Sequence, residues 1–271
     1  MIAYTLNRDD REDRWLAYKK AMLKAGFKES ELFRQSAHHV DDYKNRRHLC
    51  DEGAKEFPEF FNFHKDKSWP AYGHIIATWG WLKMLTAVAG MSALEFAVMT
   101  PDDYALKRQK TELTRILHEL GDVQILQLAY HDCDFIHEHI SENWKRLLPK
   151  RVQRTERHAW LPVWKDMCMG ASNIYVVTPA GAQLILDYFK HTPLNEEHIL
   201  YGLAHEWAPK GTYSVVENSI KEDGLVPMVK NGWVRSLNLE TGGKVSDLIE
   251  YYSVSAEDWH KKPKLIKKET H

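Results

Sequence analysis

Short apolar runs that alternate with stretches of helical periodicity predict an α/β fold, with a mainly parallel central sheet flanked by helices. Three observations carry this reading. Ile2 to Leu6, Leu94 to Met99, Val123 to Ala129, Asn173 to Val177 and Tyr213 to Val216 are runs of strand length and strand composition. Between them, apolar residues recur at three- and four-residue spacing. The chain of 271 residues is 44% hydrophobic and carries 37 Lys+Arg against 38 Asp+Glu, a composition that suits a packed globular core and excludes wholesale disorder.

The elements follow in order. Ile2 to Leu6 opens as a strand, and Trp15, Tyr18 and Met22 within Asp10 to Ala25 mark a helix that Asp9 or Asp10 is placed to cap. Residues 37 to 68 are rich in His, Asp, Lys, Arg and Phe with little periodicity, which predicts a loop-rich stretch. Tyr72, Ile75, Ile76, Trp79, Leu82 and Leu85 define a buried helix over 72 to 90, and helical patterns recur over 104 to 120 and 180 to 190. No repeat, linker or low-complexity run divides the chain. The simplest division is one domain over 1–255 and a Lys-rich tail over 256–271 that frays.

No run approaches the roughly 18 apolar residues of a membrane span, and the start resembles no secretory leader, so a cytoplasmic protein is expected. Cys50, Cys133 and Cys168 lie far apart without a CxxC spacing, which suggests reduced thiols rather than disulfides or structural zinc. A net charge of −1 excludes a bulk basic field and leaves room for a local one.

Four segments hold chemistry-bearing residues. Leu94 to Met99 runs into Asp102-Asp103, two carboxylates at a strand's carboxyl end. Ligands gather there in open α/β sheets, and paired carboxylates suit a divalent cation; equally, either aspartate could cap a helix starting at Tyr104. Arg8, Arg11 and Arg14 stand at the first turn of the opening helix. That placement means either a charge-balanced solvated face or an anion held between guanidinium groups and free N–H groups. His131 to His139 contains His and Asp without any standard zinc spacing, and reads as a polar loop. Trp144 to Trp160 carries six Lys/Arg against one Glu and ends on tryptophans. This is either a balanced surface loop or an edge that attracts polyanions and stacks on exposed bases.

Four stretches of the chain, taken in order, resemble one family. Tyr4-Thr5-Leu6-Asn7-Arg8-Asp9-Asp10-Arg11-Glu12-Asp13-Arg14-Trp15 is similar to the "NLdrRpdRw" opening of the family 25 glycosyltransferases, the lipooligosaccharide and collagen galactosyltransferase relatives. Tyr72-Gly73-His74-Ile75-Ile76-Ala77-Thr78-Trp79 resembles the family's "GcalSHxxxw" helix, and Val98-Met99-Thr100-Pro101-Asp102-Asp103-Tyr104 its "vlEDDv" strand end. Asn173 to Leu186, with Gly181-Ala182 at its centre, resembles "aYliSreGAkkLL". The set spans roughly residues 2 to 190 in family order, which is more specific than any member alone. One departure stands out, Pro101 where the family usually has Glu.

The resemblance implies a GT-A-like domain over 1–255 that transfers a sugar from a nucleotide-sugar donor, UDP-linked by preference, with Mn²⁺ or Mg²⁺ as cofactor. It makes Thr5, Leu6, Asn7, Arg8, Arg11 and Asp102 donor-binding candidates, and Asp103 and Asp102 metal ligands. Glu217 is the candidate third ligand, with Asn218 and His205 behind it; Arg14 fits the motif but is expected to cover the surface only. A general base is needed if the acceptor hydroxyl attacks with inversion, and Asp132 and Glu197 are the equal candidates, with Asp134 behind them. Lys145, Arg146, Lys150, Arg151, Arg154 and Trp160 are the acceptor-side candidates. They favour a hydroxymethylated base in DNA, of the 5-hydroxymethylcytosine type that phage enzymes glycosylate, over a lipopolysaccharide acceptor. The contrasting class is a non-catalytic nucleic-acid-binding protein on a transferase scaffold.

Overall fold

The computed structural model describes residues 1–66, 72–120, 124–128, 130–131, 137–141, 144–147, 175–191, 213–216, 219–223, 226–228 and 234–237. The elements of the first half are β1 (Ile2–Arg8), α1 (Glu12–Lys24), β2 (Leu32–Ala37), α2 (Arg46–Gly53), α3 (Pro58–His64), α4 (Tyr72–Ala89), β3 (Ala97–Pro101), β4 (Tyr104–Leu106) and α5 (Lys110–Leu120). There follow β5 (Ile125–Gln127), β6 (Tyr130–His131), β7 (His137–Ser141), β8 (Trp144–Leu147), β9 (Tyr175–Val177), α6 (Pro179–His191), β10 (Tyr213–Val216), β11 (Ser219–Asp223), β12 (Val226–Met228) and β13 (Val234–Ser236).

Among the described residues, eight strands form the main sheet in the order β2-β1-β3-β9-β5-β10-β8-β7. β1 pairs in parallel with both β2 and β3, and β10 in parallel with β5, whereas β9 and β8 run against their neighbours. Six of the eight strands therefore share one direction. Strands β1, β3, β5 and β9 are buried on both faces, so their alternate residues feed different cores. Tyr4, Ala97, Met99, Ile125, Tyr175 and Val177 pack with Trp79, Leu82, Ala182 and Ile185 under α4 and α6. Ala3, Val98, Leu126 and Val176 pack on the other face with Tyr18, Met22, Leu113 and Ile116 from α1 and α5. Removing each large apolar side chain from water contributes about 1.5–3 kcal/mol.

Several expectations change in detail. Residues 37 to 68 are not mainly loop: α2 and α3 lie within them. Their buried faces include Arg46, Gly53 and His64 beside Leu49, Phe60 and Phe61, which hides the apolar period; the surviving signals are Asn45, whose side chain accepts from His48 N, and Pro58 at the start of α3. Residues 104 to 106 form β4 ahead of α5, so neither Asp102 nor Asp103 caps a helix at Tyr104. Nor do Asp9 and Asp10 cap α1, whose N-cap position is Arg11 without a side-chain bond. Asp9 instead receives Arg34 at 3.0 Å and Ser36 at 2.6 Å, and Asp10 receives Arg8. At its other end α1 stops on Gly26, at φ 94°, where Phe27 N donates to Met22 O and Gly26 N to Leu23 O. Among the described residues no helix is long and apolar enough to cross a membrane.

Candidate active site

The order β2-β1-β3 means that the chain leaves β1 toward one side and returns, after β2, to the other. The carboxyl ends of β1 and β3 therefore flank a topological switch point, where a crevice forms because the two crossovers diverge. The helices obey this division: α1 lies on one face, and α4 on the other.

Three periodicities build the site on the α1 face. Ala3, Thr5 and Asn7 are two apart on β1; Val98, Thr100 and Asp102 are two apart along β3 and the turn after it; Met22, Tyr18 and Arg14 are four apart on α1. Pairing sets Ala3 beside Val98 and Thr5 beside Thr100. The lowest rung, with Met22, is wholly apolar and fully buried. In the middle rung Thr100 Oγ1 donates to Tyr18 Oη at 3.1 Å, and burial raises the Tyr18 phenol well above its ordinary range, so it stays protonated. At the top Asn7 Nδ2 donates to Asp102 Oδ2 at 2.6 Å and Arg14 Nη1 to Asp102 Oδ1 at 3.3 Å. Polarity thus rises rung by rung toward the carboxyl edge.

All three residues of the top rung are buried: Asn7 is 1% exposed, Arg14 5% and Asp102 8%. Arg14 is therefore no surface cover; it neutralises Asp102 inside the protein. Asn7 Nδ2 also donates to Arg11 O at 3.1 Å, and Arg34 donates to Arg8 O at 3.0 Å, so the β1–α1 turn is strapped from both sides. Asn7 Oδ1 and Thr5 Oγ1 are buried acceptors without a hydrogen-bond partner among the described residues. Leaving such a group unpaired costs about 1–3 kcal/mol.

Asp102-Asp103 forms the turn between β3 and β4. Leu237 N donates to Asp103 O at 2.7 Å, 134 residues apart in the chain, and β13 pairs antiparallel with β4, so a distant segment fixes the turn. No local signal in the sequence announces that ribbon. The donor chemistry suits a hard divalent cation, which binds one or two carboxylates together with ligand phosphates. Both oxygens of Asp102 already accept hydrogen bonds, so a cation's direct protein ligand here would be Asp103, with Asp102 orienting the turn. Among the described residues no cluster of three or more His, Cys, Asp and Glu is grouped to hold an ion by itself.

Arg8 and Arg11, the expected phosphate clamp, each make a two-pronged contact with the aspartate two residues on. Arg8 Nε and Nη2 reach Asp10 at 2.9 and 2.6 Å; Arg11 Nε and Nη2 reach Asp13 at 3.0 and 2.9 Å. Each arginine holds its partner's carboxyl below the usual range. Leu6 points to the opposite face, against Gly80 of α4, where a Cβ would lie 2.2 Å from Leu6 Cδ1. It packs the helix instead of lining the α1-side cluster.

A second polar cluster stands one residue beyond β2. His38 stacks on Trp79 at 4.1 Å, Lys83 Nζ lies 3.2 Å from His38 Nε2, and Tyr43 Oη 2.8 Å from Nδ1. An ammonium can only donate, so Nε2 accepts and Nδ1 carries the proton toward Tyr43. Glu56 closes the cluster through Trp79 Nε1 at 3.2 Å and Lys83 at 3.3 Å. Nothing in the local sequence pattern marks these residues, because they meet only through packing of α4 on β2.

Of the acceptor-side candidates, Lys145 and Arg146 lie on β8, paired with Val215 and Ser214 of β10, and so belong to the sheet and not to a loop. β8 stands four strands from β3, about 19 Å across the sheet. His137 and His139 likewise lie on β7 and His131 on β6. Lys150, Arg151, Arg154, Trp160, Asp132, Asp134, Glu197, His205, Glu217, Asn218 and the tail 256–271 lie outside the described residues.

No family model and no curated protein sequence matches the chain. Among solved structures it is similar to a mannose-1-phosphate geranyltransferase from Thermus thermophilus, at 12% identity and TM-score 0.36, over 79% of this chain and 73% of that one. It is also similar to mouse xyloside xylosyltransferase 1 in its apo form, at 12% identity and TM-score 0.38, over 78% and 83% of the two chains.

Proposed function

We propose that the protein is a glycosyltransferase that takes a sugar from a nucleotide-sugar donor, UDP-linked by preference, and passes it to a hydroxyl acceptor. The observation that carries this reading is the buried Asn7–Asp102–Arg14 cluster at the switch point between β1 and β3, with Asp103 beside it. The ordered resemblance of residues 2 to 190 to the family 25 enzymes supports the same site. In this reading Asn7 Oδ1 is the acceptor for a hydroxyl or N–H of the nucleoside, and Asp103 holds Mn²⁺ or Mg²⁺ against the diphosphate. The cation supplies charge neutralisation for the departing nucleotide. Arg14 and Asn7 hold the Asp102 carboxylate still, so this carboxylate keeps its orientation when donor arrives.

The acceptor of choice is a hydroxymethylated base in DNA. Its support is the basic, Trp-flanked segment Trp144 to Trp160, since a flipped base stacks on aromatics while the phosphates meet Lys and Arg. Asp132 and Glu197 remain the two candidates for the base that takes the hydroxyl proton. Asp132 follows β5 by five residues, and the carboxyl end of β5 lies on the same edge of the sheet as Asp102.

Calorimetric titration with UDP, GDP and CMP, each with and without Mn²⁺, tests the proposal. One nucleotide is expected to bind in a Mn²⁺-dependent manner, and Asp103→Asn to weaken it at least tenfold without loss of fold. Absence of nucleotide binding under every condition, with DNA still bound, overturns the enzyme in favour of a nucleic-acid-binding protein.

A further inference from the structure

Arg8 and Arg11 flank the β1–α1 turn, and each is engaged by a carboxylate in the side-on geometry that a phosphate group uses. The two arginines are held in place, with side chains 23% and 20% exposed, whereas Asp10 and Asp13 are 59% and 50% exposed. The backbone between them is strapped through Asp9, Arg34 and Asn7, which fixes the places from which the two arginines project, whereas the aspartate carboxyls stand at the exposed end of each pair. Such exposed pairs are weak, and one anion exchanges readily for another at the same fork.

We infer that Asp10 and Asp13 are built-in competitors for the donor's diphosphate: they occupy the Arg8 and Arg11 forks in the empty protein and leave them when phosphate enters. The inference rests on the reading of this turn as the donor site. It assigns the two aspartates a definite task, to set the affinity of the site and to reject weakly charged anions that cannot displace them. A diphosphate brings enough charge to exchange with both carboxylates; a monoanion does not.

Glu12 makes the test specific. It lies in the same turn, is exposed, and makes neither of these arginine contacts. Glu12→Gln therefore removes the same charge without opening a fork. Pyrophosphate and UDP are titrated calorimetrically, with Mn²⁺, into wild type, Asp10→Asn, Asp13→Asn, Asp10→Asn/Asp13→Asn and Glu12→Gln. Each single aspartate variant is expected to bind about two- to fivefold tighter, the double variant roughly by the product, and Glu12→Gln to change less than about 1.5-fold. If wild type binds and the aspartate variants do not tighten, or if Glu12→Gln tightens as much, the inference is overturned while the donor site stands. If neither anion binds to any variant, both fall together.

Discussion

A guanidinium and a carboxylate buried together at the ends of β1 and β3 each depend on the other. Arg14 is 5% exposed and Asp102 8%, so removing either leaves an uncompensated charge in the protein interior. Breaking a buried pair in this way costs about 3–5 kcal/mol, far more than the pair contributes relative to a neutral replacement. Arg14→Gln and Asp102→Asn should each lower the unfolding free energy by roughly 3 kcal/mol, while the double variant should cost less than the sum by at least about 1 kcal/mol. Urea denaturation of the four proteins measures the coupling; additivity within about 0.5 kcal/mol would mean that the two side chains do not neutralise each other.

Helix α6 approaches the start of β5 so closely that one position admits no side chain. A Cβ on Gly181 would stand 2.4 Å from Gln124 O, a backbone atom that already accepts from Thr178 N at 2.9 Å. Thr178 Oγ1 in turn receives Gly181 N at 3.0 Å, so the whole helix start is docked on that carbonyl. Ala182, fully buried beside it, fills the space under the helix, which is a physical reason for a Gly-Ala pair in this segment. Gly181→Ala should therefore destabilise by about 1–3 kcal/mol or more, since the helix must shift off β5. Gly90 is the contrast: its added Cβ meets only carbonyls at 3.6 Å, so Gly90→Ala should be neutral or stabilise by up to about 1 kcal/mol. Chemical denaturation of both variants separates a packing effect from a general intolerance of glycine replacement.

For the molecule as a whole, the sheet's direction changes decide where chemistry can occur. The strand order switches sides at β1, the reversed β9 joins the first three strands to the β5–β10 pair, and the described part of the basic segment sits about 19 Å away on β8. Stability of the molecule should also depend on pH through the cluster that joins β2, α4 and the segment between them. Burial first, and then the Lys83 ammonium, lower the His38 pKa from 6.5, while Glu56 and Asp42 oppose this more weakly. The unfolded chain then binds a proton that the folded one does not, so this contribution is present above about pH 6.5 and is lost as the pH falls through the folded value. Burial likewise pushes the neighbouring Tyr43 phenol up to about 12, so it stays neutral throughout this range. Urea midpoints measured between about pH 7.5 and 5 should fall more steeply for wild type than for His38→Asn. Equal slopes would remove His38 as the source.

The α/β class, the strands β1, β3 and β10, and the helices over 72 to 90 and 180 to 190 are readable from sequence because apolar runs and helical apolar spacing mark them, although β3 begins at Ala97 and not at Leu94. The Asp102-Asp103 pair was readable for the same reason, since it ends a strand whose apolar run is unmistakable. Whether the pair capped a helix or formed a turn was not, because the answer lies in β4 pairing with β13, far along the chain. Helices α2 and α3 escaped because Arg46, Gly53 and His64 interrupt their buried faces. Arg14 reads as a surface residue because charge alone suggests solvent; only the packing of α1 over β1 and β3 brings it to Asp102. The forks of Arg8 and Arg11 are local in sequence, yet their significance depends on where β1 ends relative to β3. Local periodicity thus determined the elements, and long-range strand order determined the candidate site, since only the pairing of β1 with β3 brings Asn7 and Arg14 to Asp102.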